Sequence, residues 1–83
     1  MKATVFVRPK EGIKDPQGEA VKGSLQKSGF DVVSVRIGRV IDVELETSNR
    51  EEARAELDQM SNRLLANPMI ESYEIKLLEG SET

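Results

Sequence analysis

The stretch Val32-Val33-Ser34-Val35-Arg36-Ile37-Gly38-Arg39-Val40-Ile41-Asp42-Val43-Glu44-Leu45-Glu46 decides the fold. Val33, Val35, Ile37, Ile41, Val43 and Leu45 stand at odd positions, and Ser34, Arg36, Asp42, Glu44 and Glu46 at even ones. Alternation with period two marks a half-buried strand, and the parity survives across Gly38-Arg39. A two-residue hairpin there would oppose Val35 to Asp42 and Val33 to Glu44, mixing the faces. Two arrangements keep them clean. One is a three-residue loop, Gly38-Arg39-Val40, pairing Ile37 with Ile41; the other is one long strand bent at Gly38. Three-residue hairpin loops want glycine last, and here it comes first, so the bent strand is favoured. At about 3.3 Å per residue the stretch extends roughly 50 Å, wider than one small domain, so it implies a second subunit.

Upstream, Ala3, Val5 and Val7 alternate with Thr4, Phe6 and Arg8, a strand that Pro9 ends because proline cannot donate to a ladder. Asp15-Pro16 then starts a helix, Asp as N-cap and Pro at the first helical position. It runs to about Ser28, with Gly29 as its left-handed stop and Phe30 packing back on the last turn. This helix carries Gly18 and Gly23 and only Ala20, Val21 and Leu25 as apolar residues. It needs a neighbour to hold it.

Downstream, Ser48-Asn49-Arg50-Glu51 reads as a capping box. Ala53, Leu57, Met60 and Leu64 follow at helical spacing as a core stripe. Asn67-Pro68 stops that helix. Residues 69–78 return to strand, with Tyr73, Ile75 and Leu77 on one face. The order is strand, helix, long strand, helix, strand. It predicts a two-layer α+β sandwich related to ferredoxin-like folds, an antiparallel sheet with two helices on one face, completed by dimerisation. Residues 1–79 read as one domain and 80–83 as a disordered tail.

Composition narrows the chemistry. The 83 residues hold no Cys and no His, 33% charged residues and a net charge of −3. Disulfides, thiolate nucleophiles and the commonest general base are thereby removed. Self-association remains the available support for so small a core. The acidic balance disfavours nucleic acid, and Phe6 and Tyr73 are the only strand aromatics an RNA-binding sheet could use. Apolar runs are too short for a membrane span or a signal peptide, which places the chain in the cytoplasm. Ser24, Ser28, Ser34 and Ser48 lack a histidine to activate them, and no phosphate-binding glycine loop is present. Arg36 and Arg39 flank Gly38; guanidinium forks grip carboxylates and phosphates, so they contact either an acidic partner or carboxylates of the sheet such as Glu44 and Glu46.

Three segments carry a resemblance: Asp15-Pro16-Gln17-Gly18, Val35-Arg36-Ile37-Gly38-Arg39, and Leu64-Leu65-Ala66-Asn67-Pro68-Met69-Ile70-Glu71-Ser72-Tyr73. In this order they resemble the PurS family, the small subunit of phosphoribosylformylglycinamidine synthase, over essentially the whole chain. The resemblance implies a subunit without catalytic residues. It would bridge a glutaminase subunit and a large synthetase subunit and support ammonia transfer between them. The enzyme converts formylglycinamide ribonucleotide, glutamine and ATP to formylglycinamidine ribonucleotide in purine synthesis. No cofactor is implied in this chain; ATP and Mg belong to the synthetase partner. The chain is expected to form a dimer, or a tetramer as a dimer of dimers. Asp15, Pro16, Gly18, Arg36, Gly38, Arg39, Asn67 and Pro68 are the candidate subunit-interface residues. The alternative is a small-molecule-binding regulatory domain of the ACT type, which shares the strand and helix pattern.

Overall fold

A computed structural model describes residues 1–78; the tail expected over 80–83 lies outside them. Strand β1 (Lys2–Pro9) is followed by helix α1 (Pro16–Lys27), strand β2 (Arg39–Glu44), helix α2 (Arg50–Met60) and strand β3 (Glu71–Leu77). The sheet order is β2-β1-β3, antiparallel on both sides. Val5 lies opposite Ile41 on one side and Ile75 on the other, and Ala3 opposite Val43 and Leu77. The odd positions of all three strands therefore share one face. Ala3, Val5 and Val7 are buried there with Leu57 and Ala66, and Ile41, Val43, Leu45, Met60, Leu65, Tyr73, Ile75 and Leu77 pack around them.

The long strand is realised only in its second half. Residues from Arg39 onward pair with β1, and residues 32–38 join no ladder among the described residues. The physical cause lies in β1 and α1. Pro9 ends β1 without a donor. The Ile37 N–H donates instead to Asp15 Oδ2 at 2.8 Å, and Arg36 Nη2 takes the Pro9 and Lys10 carbonyls at 3.1 and 2.7 Å. Side chains, rather than a ladder, hold this segment. Val33 is consequently 88% exposed.

Helix α1 begins and ends as its sequence dictates. Asp15 caps Gly18 N–H at 3.0 Å with Pro16 at the first position. At the far end Phe30 N–H donates to Leu25 O and Gly29 N–H to Gln26 O, both at 3.0 Å, with Gly29 at φ 96°. That pair of bonds is a Schellman stop. Phe30 itself stays 60% exposed. Among the described residues no α1 side chain joins the core cluster, so within this chain α2 supplies the helical side chains that pack on the sheet. Ala20, Val21 and Leu25 give α1 too little apolar surface to compete for that face. The radius of gyration is 16.1 Å, against about 12 Å for a compact chain of this length.

Two further departures concern α2. Its cap is Asn49, one residue later than the Ser48 box. Asn49 Oδ1 accepts from Glu52 N–H at 3.0 Å, while Thr47 Oγ1 accepts from Asn49 N–H at 3.1 Å. After Met60 the helix widens into a π-turn, Ser61–Leu65, closed by Ala66 N–H to Ser61 O at 2.9 Å. A π-turn adds one residue to the repeat. The inward sequence thus becomes Ala53, Leu57, Ser61, Leu65, and Leu64 swings out to 85% exposure.

Candidate assembly surface

One end of the sheet gathers all three motif segments. Asp15 sits at its centre: one carboxylate oxygen caps α1 through Gly18 and the other holds Ile37. The two N–H donors, Ile37 first, keep the Asp15 carboxyl below its ordinary value of 3.8, and Arg36 adds to the effect. Gly18 is required by close approach, since a Cβ there would stand 2.3 Å from Val35 O. Gly38 is required likewise, 2.3 Å from Val7 O, where the chain enters β2 across β1. Pro16 sets the helix entry.

Arg39 ties β2 to the α2–β3 connection. Its Nη1 and Nη2 donate to the two Glu71 carboxylate oxygens at 2.8 and 3.1 Å, and Nη2 also donates to Leu65 O at 2.6 Å. Glu71 retains 18% side-chain exposure. Its carboxyl is held below 4.5, chiefly by the Arg39 fork and then by the Asn67 N–H at 2.8 Å. Asn67 builds the turn: its Oδ1 accepts from Met69 N–H and its carbonyl from Ile70 and Glu71. Pro68 occupies that turn, and Lys10 N–H donates to Ile70 O at 2.9 Å, stitching the turn to the end of β1.

The eight residues singled out from the sequence are therefore neighbours, and each except Arg36 helps shape a backbone crossing. Arg36 instead binds the carbonyls of Pro9, the last residue of β1, and of Lys10 just after it. Neither arginine pairs with Glu44 or Glu46. The motifs alone do not single out Glu71, although it lies in the Leu64–Tyr73 segment; the signal for it is a lone carboxylate in the turn facing a strand arginine. Nor do they single out the contact between Tyr73 and Asp58. The Tyr73 hydroxyl donates to Asp58 Oδ1 at 2.5 Å, binding β3 to α2, and the carboxylate raises the phenol above 10.0.

These crossings enclose a groove of about 370 Å³ lined by Ile13, Asp15, Gln17, Ile37, Arg39 and Glu71, among others. Among the described residues no three His, Cys, Asp or Glu side chains stand together as a metal site. No described helix is long and apolar enough to cross a membrane.

A three-stranded antiparallel sheet covered by one helix, with a second helix stapled to its end through Asp15, defines a small α+β domain of the ferredoxin-like kind. The chain belongs to the PurS family, whose sequence model, phosphoribosylformylglycinamidine (FGAM) synthase, matches residues 2–79. The PurS subunit of Methanocaldococcus jannaschii is 39% identical over 77 residues, covering 92% of this chain and 93% of that one. That of Synechocystis is 44% identical over 82 residues, covering 95% and 82%. The solved structure of Bacillus subtilis PurS superimposes with a TM-score of 0.85 at 37% identity, covering 94% of this chain and 98% of that one. A chain in the structure of PurLQS from Thermotoga maritima does so with a TM-score of 0.83 at 32% identity, covering 93% and 95%.

Proposed function

We propose that the chain is the non-catalytic assembly subunit of phosphoribosylformylglycinamidine synthase. It would bridge the glutaminase and synthetase subunits in the cytoplasm, with ATP and Mg held by the synthetase. The reading is supported by family membership and by a neighbour solved as PurLQS. One observation carries the mechanism: at the motif cluster Asp15, Arg39, Glu71 and Asn67 are occupied with backbone and with each other. The motifs make a rigid surface.

Rigidity is what a bridge needs. Ammonia released into bulk water is diluted and protonated, and ammonium has no lone pair with which to attack. Two active sites held in one particle replace a bimolecular encounter by a local transfer. The extended radius and the uncovered α1 support self-association as part of the same assembly. Sedimentation of the chain with purified glutaminase and synthetase subunits tests the proposal. A particle containing all three, absent when this chain is omitted, is expected. Separate sedimentation of all three overturns it, and a stable folded monomer at micromolar concentration overturns the self-association.

A further inference from the structure

The face of the sheet opposite α2 is covered by no described helix. Its rows follow from the register: Asp42, Thr4 and Lys76; then Val40, Phe6 and Glu74. Toward the end of this face where β1 finishes and β2 begins lies a hollow of about 260 Å³ lined by Phe6, Arg8, Arg36, Gly38, Arg39 and Val40, with Val7 beneath. Two arginines of a net-acidic chain, Arg8 and Arg36, thus stand beside one apolar floor, while Arg39, at an odd position opposite Val7, turns its guanidinium to Glu71 and Leu65 O on the α2 side. Arg36 uses only Nη2 among the described residues, leaving Nε and Nη1 available. Arg8 lies over the Phe6 ring at 5.7 Å, and its ion pair to Glu74 is 3.8 Å long with both side chains more than half exposed. So loose a pair contributes little. Val40 is 64% exposed beside the ring.

We infer that this hollow is a docking site for a carboxylate-bearing segment of one of the two partner subunits, a carboxylate meeting Arg8 and Arg36 and an apolar side chain covering Phe6 and Val40. Charge chooses the occupant. A second copy meeting the hollow about a two-fold axis would set guanidiniums against guanidiniums, which is repulsive. An acidic segment is drawn in by the same charges, and a ring beneath a guanidinium pre-orients the fork for a carboxylate. Gly38 makes the hollow possible, because any side chain there would collide with Val7 O.

The inference rests on the assembly reading, and the test separates the two. The full chain and its Arg8→Gln and Val40→Thr variants are titrated into the purified glutaminase and, separately, the purified synthetase subunit, at low and high salt. Thermal melts of each variant confirm folding. The inference expects affinity for one partner to fall about tenfold in Arg8→Gln and less in Val40→Thr. The wild-type affinity for that partner should weaken as salt rises. Wild-type binding that neither variant changes overturns the inference and leaves the assembly reading standing. Failure of the wild type to bind either partner overturns both. Altered self-association with unchanged partner affinity identifies a contact between copies and overturns it too.

Discussion

The Asp15 carboxylate accepts the Ile37 N–H at 2.8 Å from 22 residues away in sequence, while its other oxygen caps the helix that Asp15 begins. One side chain thereby does a second job that a helix cap alone would not require. It satisfies an orphan donor of α1, and it replaces the strand partner that Ile37 lacks once Pro9 has ended β1.

Asp15→Asn keeps only one strong acceptor oxygen, and Asp15→Ala keeps none. Both are expected to lower Tm, Ala more than Asn, and to speed hydrogen exchange at the Ile37 amide. The pH dependence has a fixed sign. The folded carboxyl titrates below its ordinary value of 3.8. Its contribution is therefore complete above that value and is lost as pH falls through the folded midpoint. An Ile37 amide shift titrating with a midpoint below 3.8 is expected; a midpoint at or above it contradicts the staple.

The Arg39–Glu71 fork makes a separate claim about geometry. Arg39→Lys preserves the charge and loses the bidentate pair and the Leu65 carbonyl contact. Arg39 is half exposed, so the cost is modest, roughly 1 kcal/mol. For a domain of this size that is a Tm loss of about 4–8 °C. A lysine variant with wild-type Tm would show that charge alone suffices.

Glycines give changes of opposite sign. Gly38→Ala places a Cβ on the Val7 carbonyl and is expected to cost about 1–3 kcal/mol as the entry to β2 shifts. Gly23→Ala meets nothing within 4 Å and lies mid-helix, so it should stabilise by about 0.5–1 kcal/mol. Thermal melts of the two variants check both signs.

The π-turn yields a further test at Ser61. Its hydroxyl is fully buried, with no hydrogen-bond partner among the described residues. Removing such a group relieves a desolvation cost, so Ser61→Ala is expected to be neutral or stabilising in a urea melt. Leu57→Ala, at 0% exposure one helical turn before it, should cost about 2–5 kcal/mol. A large loss in Ser61→Ala would place a hidden partner on the hydroxyl.

How far these features were legible follows from what side-chain pattern encodes. Parity of Val33 through Leu45 correctly placed Ile41, Val43 and Leu45 on the core face, because alternation fixes a face once a ladder exists. It could not say that residues 32–38 lack a ladder, since that depends on Pro9 and Asp15, both distant in sequence. The α1 boundaries were readable from Asp15-Pro16 and Gly29, because caps are local chemistry. That α1 stays outside the core was foreshadowed by its few apolar residues, although which face they leave is a tertiary matter. Leu64 was assigned to the core by spacing, and the π-turn defeated that assignment by adding one residue to the repeat. The motif residues stand out in the sequence as a set; their shared location and the Arg39–Glu71 pairing arise only from the tertiary fold.

The central claim is that this chain contributes shape to a reaction performed by others. Initial rates of formylglycinamidine ribonucleotide formation, by purified glutaminase and synthetase with and without this chain, test it most directly. The account predicts that glutamine-driven synthesis depends on the chain while synthesis from added ammonia proceeds without it. Equal glutamine-driven rates in its absence would contradict the account.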